Sequence, residues 1–308
     1  MSRGRQKWAG FWWSPWASLP DLASGEVSVP SRCGLYRIRS RGPTLMMYIG
    51  EAGAKNGSLA SRLQRWKKIG RLDRPVDIWT TVGSDNRVRL LSNWLWYFDR
   101  YEISWASVPQ PGPLDLRDDQ VRKAAESLAM WTNRLHTGHS CYANHGRAGN
   151  GNELVGTTVS LKSDSQERGC MRRNAPNLMH APSSPLRLNG TYPHEENWLS
   201  RAWTQLTSHH ELTQGGEFDA KGFGHERMRK GPAFYKILSP RLELLKVGYL
   251  RSAHRLVRKL RDTQGRPVGA WSSCGTRLRC RCQELVDDMI GAYLWQTGEP
   301  PALQFIGG

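Results

Sequence analysis

The chain has 308 residues, 38% of them hydrophobic, and 44 Lys and Arg against 27 Asp and Glu give a formal net charge of +17. That length suits two domains, and the apolar share suffices for compact cores, which excludes a wholly disordered chain. The basic excess favours a polyanionic partner, because each neutralised phosphate releases condensed counterions. No apolar run is long enough to span a bilayer, and the basic start lacks the aliphatic core of a signal peptide, so a cytoplasmic protein is expected. The scattered cysteines Cys33, Cys141, Cys170, Cys274, Cys280 and Cys282 read as reduced thiols, and Cys274, Cys280 and Cys282 lack the second ligand pair that zinc would need.

Residues 1–30 form an aromatic lead-in. Trp8, Phe11, Trp12, Trp13 and Trp16 can clamp onto the body of the protein or stack on bases, and packing is the commoner fate. Gly34 to Arg39 alternates apolar and polar residues, Arg41-Gly42-Pro43 is a turn, and Leu45 to Gly50 returns, so a strand hairpin is predicted. Ser58 can cap a helix with Leu59, Leu63 and Trp66 inward and Arg62, Arg65, Lys67 and Lys68 outward. Short strands are predicted at Val76–Trp79 and Tyr101–Trp105, with a helix over Leu90–Tyr97 between them. Asp115–Thr137 is the strongest helix, its apolar stripe running through Val121, Ala125, Leu128, Thr132 and Leu135. Glu126 lies off that stripe and is expected to face an open groove.

Residues 148–228, rich in Gly, Ser, Asn and Pro, read as a linker with short local structure, a helix at Glu196–Trp203 being its best element. From residue 229 the chain repeats its earlier order. Ala233 to Ser239 matches Gly34 to Ser40, Leu245-Lys246-Val247-Gly248 falls where Met47-Tyr48-Ile49-Gly50 fell, and Arg255-Leu256 follows as Arg62-Leu63 did. An internal duplication explains this order.

The order Gly34-Leu35-Tyr36, Tyr48-Ile49-Gly50, Arg62, Glu126, Asn144 resembles the GIY-YIG nucleases, over residues 31–147 and more faintly over 231–308. The resemblance implies an α+β fold, a small mixed or antiparallel three-stranded sheet flanked by helices, here duplicated in tandem. It implies Tyr36, Tyr48, Arg62, Glu126 and Asn144 as catalytic residues. Tyr36 would contact the attacking water or act as its base with help from a nearby cation or the metal, Tyr48 orient water or phosphate, Arg62 fork onto phosphate oxygens, Glu126 hold Mg²⁺ or Mn²⁺, and Asn144 brace the site or bind the backbone. The physical requirements agree: hydrolysis of a phosphodiester needs an activated water and charge stabilisation, and Mg²⁺ prefers oxygen ligands while keeping several waters. One departure is Trp66, where some restriction-type members carry His; Arg65, His136, His139 and His145 are candidates to replace it. Lys55, Arg65, Lys67, Lys68, Lys246, Arg255 and Arg258 are candidate DNA contacts.

In the second copy Tyr235 is kept, Lys246 replaces Tyr48, and Glu284 lies near the expected acid. Yet aligning Thr297-Gly298 with Thr137-Gly138 sets Val286 opposite Glu126 and Gln304 opposite Asn144. This reads as a degenerate copy that grips DNA, with a second site of Tyr235, Arg255 and Glu284 as the other outcome. The expectation is a Mg²⁺-dependent endonuclease on DNA, double-stranded before single-stranded or RNA, of restriction or phage-defence type with repair and mobile-element roles as alternatives, working as a monomer with two pseudo-symmetric domains. The alternative is a non-catalytic nucleic-acid-binding protein.

Overall fold

A computed structural model describes residues 4–41, 46–53, 57–69, 101–138, 140–141, 144, 184–208, 210, 233–250, 255–274 and 279–306. The chain divides into two compact units, Met1–Pro182 and Ser183–Gly308. The architecture is α+β, with small antiparallel sheets and few helices. Among the described residues no helix is long and apolar enough to cross a membrane.

In the first unit Gln6–Trp8 (β1) and Phe11–Trp13 (β2) form a hairpin, followed by Ala17–Ser18 (β3) and the short helix Leu19–Ser24 (α1). The predicted hairpin is Gly34–Ser40 (β4) with Met46–Ala52 (β5), and Tyr101–Ser107 (β6) pairs with β4 on its other side. The sheet order is β3-β6-β4-β5. The expected three strands thus gain a fourth, the two-residue edge strand β3, too short to leave a periodic trace in sequence. Leu59–Ile69 (α2) and Asp119–Thr137 (α3) complete the unit. Ser58 Oγ accepts from the Ser61 N–H, as the sequence led one to expect. Asp118, whose carboxylate accepts from the Gln120 and Val121 N–H groups, caps α3, and Gly138 ends it in a left-handed conformation. The strand expected at Val76–Trp79 and the helix at Leu90–Tyr97 lie outside the described residues.

The second unit has the same plan. Ala233–Leu238 (β8), Leu244–Leu250 (β9) and Val268–Ser273 (β10), with the edge strand Thr207–Ser208 (β7), form a sheet in the order β7-β10-β8-β9. Arg255–Arg261 (α4) and Arg279–Thr297 (α5) match α2 and α3 in chain order. Both long helices have 19 residues and end at a left-handed glycine, Gly138 and Gly298. Each sheet's hairpin carries a register shift two residues after its tyrosine, between Ile38 and Arg39 and between Ile237 and Leu238.

The likeness extends to residues 184–208, which the sequence reading assigned to a linker. Trp13 Nε1 donates to the Trp8 carbonyl at 2.9 Å, and Trp203 Nε1 to the Trp198 carbonyl at 3.0 Å. The next residue then pairs with the central strand: Ser14 N–H with the Trp105 carbonyl, Thr204 N–H with the Trp271 carbonyl. Both hydroxyls also accept from that strand, at the Trp105 and Trp271 N–H groups. The helix expected over Glu196–Trp203 is instead a single 3-10 turn, Trp198–Ser200, with Leu199 at φ 56. An α-helix would carry the Trp203 indole away from the Trp198 carbonyl.

Beneath each aromatic strap lies one buried cation. The Arg37 guanidinium carbon sits 4.7, 4.4 and 4.5 Å from the ring centroids of Trp8, Trp13 and Trp16, and burial lowers its pKa to about 9. Lys236 Nζ lies 4.7 Å from the Trp203 centroid and donates to the Glu195 carbonyl at 2.7 Å. Burial lowers the Lys236 pKa to about 7, with Glu196 and Glu195 opposing. The lead-in tryptophans therefore pack, although Trp12 stays 37% exposed. Cation–π contact holds the strap to its sheet.

Candidate active site

The antiparallel register sets Tyr36 opposite Gly50 and Ile38 opposite Tyr48. Residues two apart on a strand share a face, so both tyrosines stand on one side of the sheet. Their ring centroids are 5.7 Å apart, tilted by 34°. A side chain at Gly50 would bring its Cβ within 2.7 Å of the Tyr36 Oη and 2.6 Å of Tyr48 Cε1. The glycine of the second motif is thus the floor on which the first motif's phenol lies. Gly34 has a similar reason: a Cβ there would fall 2.2 Å from the Ala106 carbonyl oxygen and 2.8 Å from Leu59 Cδ1.

Helix α2 covers this face. Leu59 and Leu63 are fully buried, and half-buried Arg62 lies between them at the next helical step. Arg62 and Tyr48 lie beside the Tyr36 phenol, the Tyr48 ring centroid 5.7 Å from its own. Burial raises the Tyr36 pKa above its ordinary value, the Arg62 charge and hydrogen bond oppose that rise, and the Glu126 charge adds to it. Tyr48 and Arg62 therefore lie at the Tyr36 phenol, and Glu126 is near enough for its charge to act on it. Glu126 is half-buried on α3, whose Ala125 and Leu128 point into the core. Asn144 works through the backbone. Its Oδ1 accepts from the Ile49 N–H at 3.0 Å and its Nδ2 donates to the Ile49 carbonyl at 2.9 Å. It clamps the strand residue between Tyr48 and Gly50.

A further pair was not singled out in sequence. Arg122 Nε donates to Glu51 Oε2 at 2.7 Å, with both side chains buried; Arg122 also pairs with Asp119 and donates to the Leu116 carbonyl at 3.1 Å. This fastens the strand carrying Tyr48 to the helix carrying Glu126. Removing one partner of such a buried pair costs about 3–5 kcal/mol. A signal was available: Glu51 directly follows the second motif, and Arg122 falls beside the α3 stripe. Charged side chains at such places read first as solvated, however. Lys55 lies outside the described residues, as do the side chains of Arg65, Lys67 and Lys68.

In the second unit Tyr235 faces Gly248 and Ile237 faces Lys246, so Lys246 has the Tyr48 position. Tyr235 lies over Gly248 as Tyr36 does over Gly50, its Oη 2.7 Å from where a Cβ would be. Gln304 Oε1 accepts from the Val247 N–H at 2.9 Å, as Asn144 does from Ile49. The burial pattern of α4 corrects one alignment. Leu256 and Leu260 are the buried pair, matching Leu59 and Leu63, so half-buried Lys259 has the Arg62 position, and exposed Arg255 matches Ser58. Arg258 is exposed as well. Equal helix lengths put Val286 at the Glu126 position, and Glu284 at that of Ala124, fully buried. Two residues turn a helical side chain by about 200°, so Glu284 stands on a different face from Val286. Cys282 replaces Arg122, its Sγ 2.8 Å from Cys274 Sγ.

No protein-family model, curated protein or solved structure matches the chain.

Proposed function

We infer that the first unit is a Mg²⁺- or Mn²⁺-dependent endonuclease of GIY-YIG type acting on double-stranded DNA, and that the two units descend from an internal duplication. The observation that carries the nuclease reading is the gathering of Tyr48 and Arg62 at the Tyr36 phenol, with the Glu126 charge acting on it and Asn144 clamping Ile49 of the second motif. The shared strand order, register and aromatic strap support the duplication.

The donor set suits a hard cation held by one carboxylate. Among the described residues no group of three metal-ligating side chains occurs, but Glu126 is partly open, and Mg²⁺ completes its shell with waters and phosphate oxygens. When bound there, the cation would acidify a water and offset charge on the phosphate. Arg62 presents a planar fork to phosphate oxygens. With its pKa raised by burial, Tyr36 keeps its proton at neutral pH and orients the attacking water rather than deprotonating it. Tyr48 fixes the Tyr36 phenol and borders the phosphate. The net charge of +17 supplies the long-range attraction that DNA requires. A restriction or phage-defence role and a cytoplasmic location fit a DNA-cutting protein of this size.

The test is incubation of the purified protein with single- and double-stranded DNA and RNA, with Mg²⁺ or with EDTA, and mapping of the ends. Metal-dependent cutting of duplex DNA is expected. Salt-sensitive binding without nicking in any metal would instead establish the non-catalytic alternative.

A further inference from the structure

We propose that the second unit carries a phosphodiester-binding site without hydrolytic function, formed by Lys246, Lys259 and the Tyr235 phenol at the positions that Tyr48, Arg62 and Tyr36 hold in the first unit. It rests on the nucleic-acid partner of the reading above, but not on catalysis.

Three observations converge. Strand register sets Lys246 on the face of Tyr235 and Gly248, and the buried pair Leu256 and Leu260 turns Lys259 toward the same face. The two ammonium groups are close enough that Lys259, after desolvation, disfavours the charged form of Lys246. Among the described residues neither lysine has a carboxylate within ion-pair distance, and the Tyr235 hydroxyl makes no hydrogen bond, whereas Arg62 and Tyr48 act on the Tyr36 phenol. Two facing cations with a spare hydroxyl beside them form a site complementary to an anion.

The acid has also gone. Val286 stands where Glu126 stands, and Glu284 is buried on another face of the helix. Exchange of Tyr48 for lysine and of Glu126 for valine removes the cation-holding carboxylate and adds a positive charge. A site so altered attracts a phosphodiester more strongly and lacks the ligand for a catalytic metal. DNA backbone is the ligand this chemistry fits.

The test uses full-length protein carrying Glu126→Ala, so that the probe stays whole, and a fluorescein-labelled duplex oligonucleotide titrated by anisotropy over a range of salt. The Lys246→Glu/Lys259→Glu variant is expected to bind at least about tenfold more weakly, with the slope of log K against log salt reduced by about two, since each lost phosphate contact removes about 0.9. The Lys246→Arg/Lys259→Arg variant keeps the charge and is expected to keep affinity and slope. Unchanged affinity and slope in the glutamate variant would overturn the proposal. So would an equal loss in the arginine variant, because the effect would then not follow charge. Wild-type protein that binds with this lysine-dependent slope yet cuts no DNA removes the nuclease reading and leaves the site standing. Cutting by a protein whose slope ignores both lysines does the reverse.

Discussion

The two units share a strand order, a hairpin register, a phenol lying on a glycine and an aromatic strap over one buried cation, yet they differ in the residues placed near that phenol. Around Tyr36 stand Tyr48, Arg62 and Glu126; at the matching positions near Tyr235 stand Lys246, Lys259 and Val286. The buried Glu51–Arg122 pair of the first unit has Tyr249 and Cys282 in its place. What is common is what builds the sheet. What differs includes the charge around the phenol and the lead-in, a β1–β2 hairpin with α1 in the first unit and a 3-10 turn in the second. Backbone architecture tolerates such exchange because the strap, the glycine floor and the side-chain clamp onto the strand are independent of the acid and the arginine.

Tyrosine exchange breaks this comparison most sharply. Tyr36→Phe removes the hydroxyl beside which Arg62 and Tyr48 lie, and DNA cleavage is expected to slow by about a hundredfold, the cost of losing one well-placed polar group. Tyr235→Phe is expected to leave the cleavage step within about twofold of wild type at saturating DNA, since only a binding contact is lost. Initial rates on a labelled duplex check both. Equal losses would make the second unit catalytic.

The glycine floors sharpen the likeness. Gly50→Ala and Gly248→Ala each put a Cβ within 2.7 Å of a tyrosine ring, an overpacking worth about 1–3 kcal/mol. Both are expected to lower denaturation midpoints, but only Gly50→Ala to displace the phenol of the proposed nuclease site and slow cleavage. The clamps differ by count. Asn144→Ala strands a buried N–H and a carbonyl of Ile49, for about 1–3 kcal/mol per group, whereas Gln304→Ala frees only the Val247 N–H. Urea titration should rank Asn144→Ala as the more damaging.

A further effect is in pH. Lys236, at about 7 in the folded chain, has a pKa depressed from its unfolded value, so the unfolded chain binds more protons between those two values. Stability contributed by this group therefore rises with pH from about 7 upward. Wild-type protein is expected to gain melting temperature relative to Lys236→Met between neutral and alkaline buffer. A constant difference would contradict the buried, desolvated lysine.

Much of the hairpin was legible in the sequence because strand alternation has period two and Gly50 needs close approach of an aromatic ring. Asn144 and Gln304 were legible by distance from the helix-ending Gly138 and Gly298. The strap was not: Trp8 to Trp13 and Trp198 to Trp203 are spaced by five, which matches neither helix nor strand, and the indole-to-carbonyl bond that defines them is visible only in three dimensions. Lys259 was missed because Arg255 offered a chemically closer match to Arg62, while burial of Leu256 and Leu260, which sets the register, cannot be separated in sequence from burial of neighbouring apolar residues. Two-residue edge strands escape any periodicity argument.

The most direct test of the central claim is the rate at which Glu126→Ala cuts duplex DNA in Mg²⁺, measured beside the wild type at equal, folded concentration. Loss of cleavage with DNA binding retained is the expected result. Cutting at the wild-type rate would contradict the assignment of the first unit's site.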